Sequence, residues 1–171
     1  MPVSTLLAGV ALFVVIVALE RWRRHGLLRD RGRAGQRDRE RRSATHREWL
    51  ATGLVLETDP DTADAIVDRV VTATMSKPVG PRRWALLTGF EEHAASAGWI
   101  RTASGEIALA ALTAPDRDGA PDGSAWLDFR DRVAKAARKA GVTTHETETG
   151  ALTSTTDSRR GTVWTSPAAP A

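Results

Sequence analysis

Pro81-Arg82-Arg83-Trp84-Ala85-Leu86-Leu87-Thr88-Gly89-Phe90-Glu91-Glu92-His93-Ala94-Ala95-Ser96-Ala97 is the stretch on which the fold turns. Taken as a single helix over 81–97, it lines up Trp84, Leu87, Phe90, Ala94 and Ala97 on one side at helical spacing. Taken as a strand over Arg83 to Thr88, it continues into a short helix over Phe90 to Ala97. Gly89, costly inside a helix, and the apolar cluster from Trp84 to Leu87 favour the strand. The choice decides between an α+β sandwich and a helix–helix–hairpin order of winged-helix type. As a DNA-recognition helix the segment is poor, because Arg82 and Arg83 at its start are its only basic residues.

Upstream, Asp59-Pro60-Asp61 carries three helix-start signals: a capping Asp, Pro at the first helical position and an acid in the first turn. Ala63, Ile66, Val67, Val70, Val71 and Thr74 then fall on one helical face, which ends before Lys77-Pro78-Val79-Gly80-Pro81. Ahead of that helix, Glu48 to Glu57 holds Trp49, Leu50, Leu54, Val55 and Leu56 and reads as a first strand. Downstream, Trp99 to Ala103 and Glu106 to Thr113 predict a hairpin around Ser104-Gly105. Pro115 to Gly123 is a polar loop. Ser124 starts a second helix with Trp126, Phe129, Val133, Ala136 or Ala137 and Ala140 on its buried face, and Gly141 closes it. Val142 to Glu148 alternates like a strand, and the tail from Gly150 has no periodicity and is expected to be disordered.

Both helices can cover one face of an antiparallel sheet in this order. The expected class is α+β: one N-terminal transmembrane helix, then a small two-layer α/β sandwich with the split βαβ, ferredoxin-like order.

The transmembrane expectation comes from Pro2 to Leu19, apolar apart from Ser4 and Thr5. A helix of that length spans about 27 Å, close to the hydrocarbon thickness of a bilayer. A cleaved signal peptide would carry basic residues before a shorter apolar run and end in a small-residue site. Here Glu20-Arg21-Trp22-Arg23-Arg24 follows the run directly. Eleven arginines lie between residues 21 and 47 and no Lys or Arg precedes the run, so the positive-inside rule puts the chain after Glu20 in the cytoplasm. Trp22, with Arg21, Arg23 and Arg24, is placed at the membrane interface. The expected organisation is an anchor over 1–20, an Arg-rich juxtamembrane linker over 21–47, a cytoplasmic α+β domain over 48–149 and a disordered tail over 150–171. The expected partners are the bilayer through residues 2–19, anionic lipid headgroups through residues 21–47, and an unidentified membrane or cytoplasmic protein. Residues 1–48 carry eleven basic and five acidic side chains, while the remainder carries thirteen and sixteen. The basic character thus belongs to the linker, which argues against nucleic acid as a partner of the domain.

Chemistry is sparsely signalled. The chain has no cysteine, which excludes disulfides, zinc–thiolate sites and thiol nucleophiles. It has no phosphate-binding glycine loop and no nucleophile elbow, and no cofactor or metal is expected. Glu91-Glu92-His93 sets two carboxylates beside an imidazole, a composition suited to acid–base work, although on a helix at most two would converge. His145-Glu146-Thr147-Glu148 reads as an exposed strand, and Asp59 and Asp61 as helix capping. Trp49, Trp84, Trp99 and Trp126 are expected in the core, whereas Trp164, isolated in the tail, is a candidate docking residue. The functional expectation is a membrane-tethered interaction or scaffold domain that is not an enzyme. The alternatives are a tethered enzyme using His93 with Glu91 or Glu92, and a tethered winged-helix DNA-binding regulator.

Overall fold

The structure, a computed structural model, describes residues 36, 38–74, 76–86, 95–157 and 161–167. Met1–Arg42 and Ser43–Ala171 form separate units. In the first, residues 38–42 are helical, with the Gln36 amide donating to Glu40 and Arg42 Nε donating to the Asp38 carbonyl. The expected anchor over residues 2–19 and the interface residues Arg21, Trp22, Arg23 and Arg24 lie outside the described residues. Among the described residues, no helix is long and apolar enough to cross a membrane.

The second unit opens with helix α1 over residues 43–50, then strand β1 (Thr52–Leu56), helix α2 (Pro60–Ala73), and strands β2 (Lys77–Gly80) and β3 (Arg83–Leu86). Strands β4 (Ala95–Arg101), β5 (Ile107–Arg117) and β6 (Ala120–Pro121) follow, then helix α3 (Ser124–Lys139), and strands β7 (Thr144–Glu148), β8 (Thr153–Asp157) and β9 (Gly161–Thr165). The nine strands form one sheet with the main order β2-β3-β4-β5-β1-β7. Every pairing among the described strands is antiparallel.

Strand β5 organises this sheet because, at eleven residues, it outlasts its neighbours. Its first half lies between β4 and β1, through Trp99↔Leu109 and Leu54↔Leu109. Further along, Thr113 to Pro115 pair with β9, which carries β8 on its other side. The sheet therefore forks beyond β5.

This architecture corrects the expected sandwich. A split βαβ unit needs parallel strands around its crossover helix. Here β1, the strand before α2, has two antiparallel partners, β5 and β7. The winged-helix alternative loses its premise too, since within 81–97 residues 83–86 belong to β3 and residues 95–97 to β4, with β3 inside the sheet between β2 and β4. The tail expected to be disordered contributes β8 and β9. Their residues, Thr153 to Thr156 and Thr162 to Thr165, are rich in β-branched side chains, which favour extended backbone despite being polar.

Helix α2 begins as its sequence prescribes. Asp59 accepts the Thr62 amide at 2.9 Å, Pro60 opens the first turn, and Ala63, Ile66, Val67, Val70 and Val71 are buried. Helix α3 buries Ala125, Trp126, Phe129, Val133 and Ala137. It ends at Gly141, whose φ of 77° suits a residue lacking Cβ, with the Val142 amide reaching back to the Ala137 carbonyl. Both apolar faces join Leu54, Leu56, Trp84, Leu86, Ala97, Trp99, Leu109 and Ala111 of the sheet in one core. Small residues let the central strands close up: a Cβ on Gly98 would lie 2.8 Å from Leu112 Cδ1 and 3.0 Å from the Arg82 carbonyl.

Trp126 fastens α3 to the start of the unit. It is fully buried, and its indole N–H donates to the carbonyls of Trp49, at 3.0 Å, and Thr52, at 3.2 Å. Nearby, the His46 ring stacks on Trp49 and Nδ1 accepts the Gly123 amide. The buried Asp122 accepts the Ser124 amide and pairs with Arg117 at 3.0 Å. Burial disfavours its charge, but the Ser124 hydrogen bonds and the Arg117 guanidinium outweigh that and hold the carboxyl below its ordinary range. These contacts account for Asp122 as a fastener of the start of α3.

Candidate functional site: a pocket beside Asp64, Arg82 and Trp99

The β1–β5 register is carried by Leu54↔Leu109. Continued by two residues it would set Leu56 opposite Ile107, and both instead line a pocket. Thr58, Pro60 and Ala63 at the start of α2, Arg82 from the β2–β3 turn and Trp99 from β4 complete its walls. The cavity is about 90 Å³.

One carboxylate ties these elements together. Asp64 sits on the first turns of α2, one residue beyond the buried Ala63. Its Oδ1 accepts the Trp99 indole N–H at 2.7 Å, and its Oδ2 accepts both Nε and Nη2 of Arg82 at 2.8 Å. Arg82 reaches it from a left-handed backbone conformation, φ 54°, which costs a residue with a Cβ about 1 kcal/mol or more. The tight turn after Pro81 imposes this, and the Trp99 amide donating to the Arg82 carbonyl at 3.3 Å helps to hold it. With both oxygens engaged, Asp64 is poorly placed to act as a general base.

A second cluster lies at the same end of β1 and β5. His145 of β7 bridges two carboxylates, Nδ1 to Glu57 at 3.0 Å and Nε2 to Glu106 at 3.2 Å. Glu106 also accepts the hydroxyls of Ser104 and Thr147. Glu57 follows Leu56 and Glu106 precedes Ile107, so the bridge connects the two segments that flank the pocket. Hydrogen bonds from His145 to Glu57 and then Glu106 raise its pKa. The Ser104 hydroxyl first, then His145 and Thr147, lower that of Glu106. The carboxylates approach opposite ring nitrogens, so the three groups do not converge on one point. Among the described residues, no group of three or more His, Asp or Glu is arranged to hold a metal ion.

The bridge predicts a pH dependence. A histidine whose pKa is raised on folding stabilises fully below its unfolded value, about 6.5, and loses that contribution as pH rises through the raised value. The lowered Glu106 contributes above its ordinary value of about 4.5 and loses its share as pH falls through the lowered one. The thermal midpoint of the wild type should therefore exceed that of His145→Gln most between about pH 4.5 and 6.5. The gap should narrow above that window. A gap of constant size up to pH 9 would show that the bridge does not depend on the imidazolium.

The sequence-predicted candidates fare unevenly. Glu91, Glu92 and His93 lie outside the described residues. Trp164 is half-buried in β9, where its indole N–H donates to Asp116 at 2.9 Å and the Arg47 guanidinium lies 5.8 Å from its ring. It packs against the core, in contrast to a free docking residue in a disordered tail. Of the four tryptophans expected in the core, Trp84, Trp99 and Trp126 are buried, whereas Trp49 is only half-buried, stacked on His46. Sequence reasoning missed Asp64, Arg82 and His145 as site residues, because their partners lie 18 to 88 residues away along the chain. Comparison with family models, with curated proteins and with solved structures gives no match.

Proposed function

We propose that this chain is a single-pass membrane protein whose second unit is a non-enzymatic interaction domain, held at the cytoplasmic face by residues 2–19. The observation that carries the interaction reading is the Asp64–Arg82–Trp99 pocket. It presents apolar walls and a guanidinium, and its neighbouring carboxylate is occupied at both oxygens. At about 90 Å³ it is small beside sites for small-molecule ligands, which run to about 300–1,000 Å³. A hole of that size suits one anchoring side chain of a protein partner.

The membrane part of the proposal rests on sequence: the apolar run, the arginines that follow it and Trp22 at its end. Arg21, Arg23 and Arg24 would each gain about 1 kcal/mol near an anionic leaflet. Tethering would also raise the effective concentration of the domain towards other membrane proteins. Two charges in the apolar run test the anchor: Phe13→Arg with Val14→Arg costs about 5 kcal/mol or more of insertion free energy. The doubly substituted full-length protein is expected in the soluble fraction, with the wild type in the carbonate-resistant membrane pellet. Equal distribution of the two would rule out residues 2–19 as the anchor.

A further inference from the structure

The pocket also constrains the chemistry of its occupant, an inference that rests on the interaction reading above. Among the described lining residues, Arg82 is the one charged side chain. Its Nε and Nη2 are committed to Asp64, and its Nη1 meets no acceptor among the described residues. The side chain stays about one-third exposed, so those donors are open to an incoming group. Two acids of the Asp59–Asp64 segment are otherwise engaged, as are Glu57 and Glu106, which hold His145. Asp64 holds Arg82 and Trp99, and Asp59 holds the Thr62 amide and the Thr58 hydroxyl. Of the remaining described walls, Leu56, Pro60, Ala63, Trp99 and the part-exposed Ile107 are apolar, and Thr58 is polar with its hydroxyl donating to Asp59.

An aliphatic group would therefore be sheltered inside while an anion is met at the edge. We propose that the pocket receives a segment of a partner protein in which a leucine-sized aliphatic residue stands next to an acidic one. The aliphatic side chain enters between Ile107 and Trp99, and the acidic side chain accepts from Arg82 Nη1. Hydrogen bonding favours the acid: Arg82 keeps a donor at Nη1 for a carboxylate, and both oxygens of Asp64 are already taken, so a lysine at that place would find no acceptor on either side chain.

The test uses the full-length protein in detergent micelles, ¹⁵N-labelled at the tryptophan indoles, with the Trp99 signal assigned through Trp99→Phe. Three capped peptides serve as probes: Gly-Leu-Asp-Gly, Gly-Leu-Lys-Gly and Gly-Ser-Asp-Gly. The Leu-Asp peptide is expected to move the Trp99 indole signal at about fivefold lower concentration than the Leu-Lys peptide. The Ser-Asp peptide should leave it in place. Arg82→Lys, which keeps the charge, should preserve that order. Arg82→Gln should level the two leucine peptides, and Ile107→Ser should weaken both. Equal midpoints for the two leucine peptides on the wild type, or no movement of Trp99 with any peptide at millimolar concentration, overturn the proposal. A partner crosslinked at the pocket under the second outcome would leave the interaction reading standing and remove only this account of its chemistry.

Discussion

Trp126→Ala is expected to destabilise the second unit by about 3–5 kcal/mol, the range for truncating a large buried aromatic. Trp126 is fully buried, and it does more than fill space. Its indole N–H donates to the carbonyls of Trp49 and Thr52, on either side of the α1–β1 junction. Alanine would leave a cavity beneath α3 and two carbonyls without their donor. Trp126→Phe separates these effects: it keeps most of the volume, loses the hydrogen bonds, and should cost about 1–3 kcal/mol. Urea denaturation followed by far-ultraviolet circular dichroism measures both. If phenylalanine costs as much as alanine, the indole hydrogen bonds outweigh packing; if it costs nothing, they contribute nothing to the junction.

Asp64→Ala carries the second-largest expected effect, about 1–3 kcal/mol, and most of it arises at Trp99. The Trp99 side chain is buried at 4% exposure, so its indole N–H would lose its acceptor with little water to replace it. The Arg82 partner matters less for stability, because both groups of that ion pair are about one-third exposed and solvent screens them. Asp64→Asn tests this ordering. An amide oxygen can still accept from Trp99, so asparagine should cost clearly less than alanine. Equal loss from the two substitutions would assign the stabilisation to the Arg82 ion pair instead. Either substitution should also leave Arg82 less firmly held, weakening any preference of the pocket for an acidic partner.

The parts of the fold legible in the sequence are those set by local chemistry. Asp59 and Pro60 marked the start of α2, and the apolar spacing from Ala63 to Val71 marked its buried face. Gly141 marked the end of α3, and Ser104-Gly105 the turn between β4 and β5. Sheet order was not legible, because pairing depends on contacts distant in sequence. Nothing within Thr144 to Glu148 says that it lies beside β1, where His145 pairs with Val55 and reaches Glu57, 88 residues away along the chain. The tail misled for a related reason. Thr153 to Thr156 are polar and look like linker, yet once β9 lies along Thr113 to Pro115 of β5 their β-branched side chains suit a strand. Lys77 to Gly80 resembled a breaker because of Pro78 and Gly80, and its exposed residues form the sheet-edge strand where proline is tolerated.

The candidate site was less legible than the fold. Asp64 looks like one more polar residue on the outer side of a helix. Its role appears only when the β2–β3 turn delivers Arg82 and β4 delivers Trp99 to the same carboxylate. The positive φ of Arg82 is a signal that no composition or spacing rule would yield.

The central claim is that this pocket is where a partner protein sits. The most direct measurement replaces Ile107 with a photoreactive phenylalanine analogue in the full-length protein and irradiates intact native membranes. A matching replacement at Thr155, exposed on β8, serves as the control. The pocket account predicts a discrete protein adduct from position 107 that weakens with Arg82→Gln, and none from position 155. An adduct from position 155 alone, or none from position 107, would contradict it, while an adduct from position 107 that is indifferent to Arg82 would overturn only the account of the occupant's chemistry.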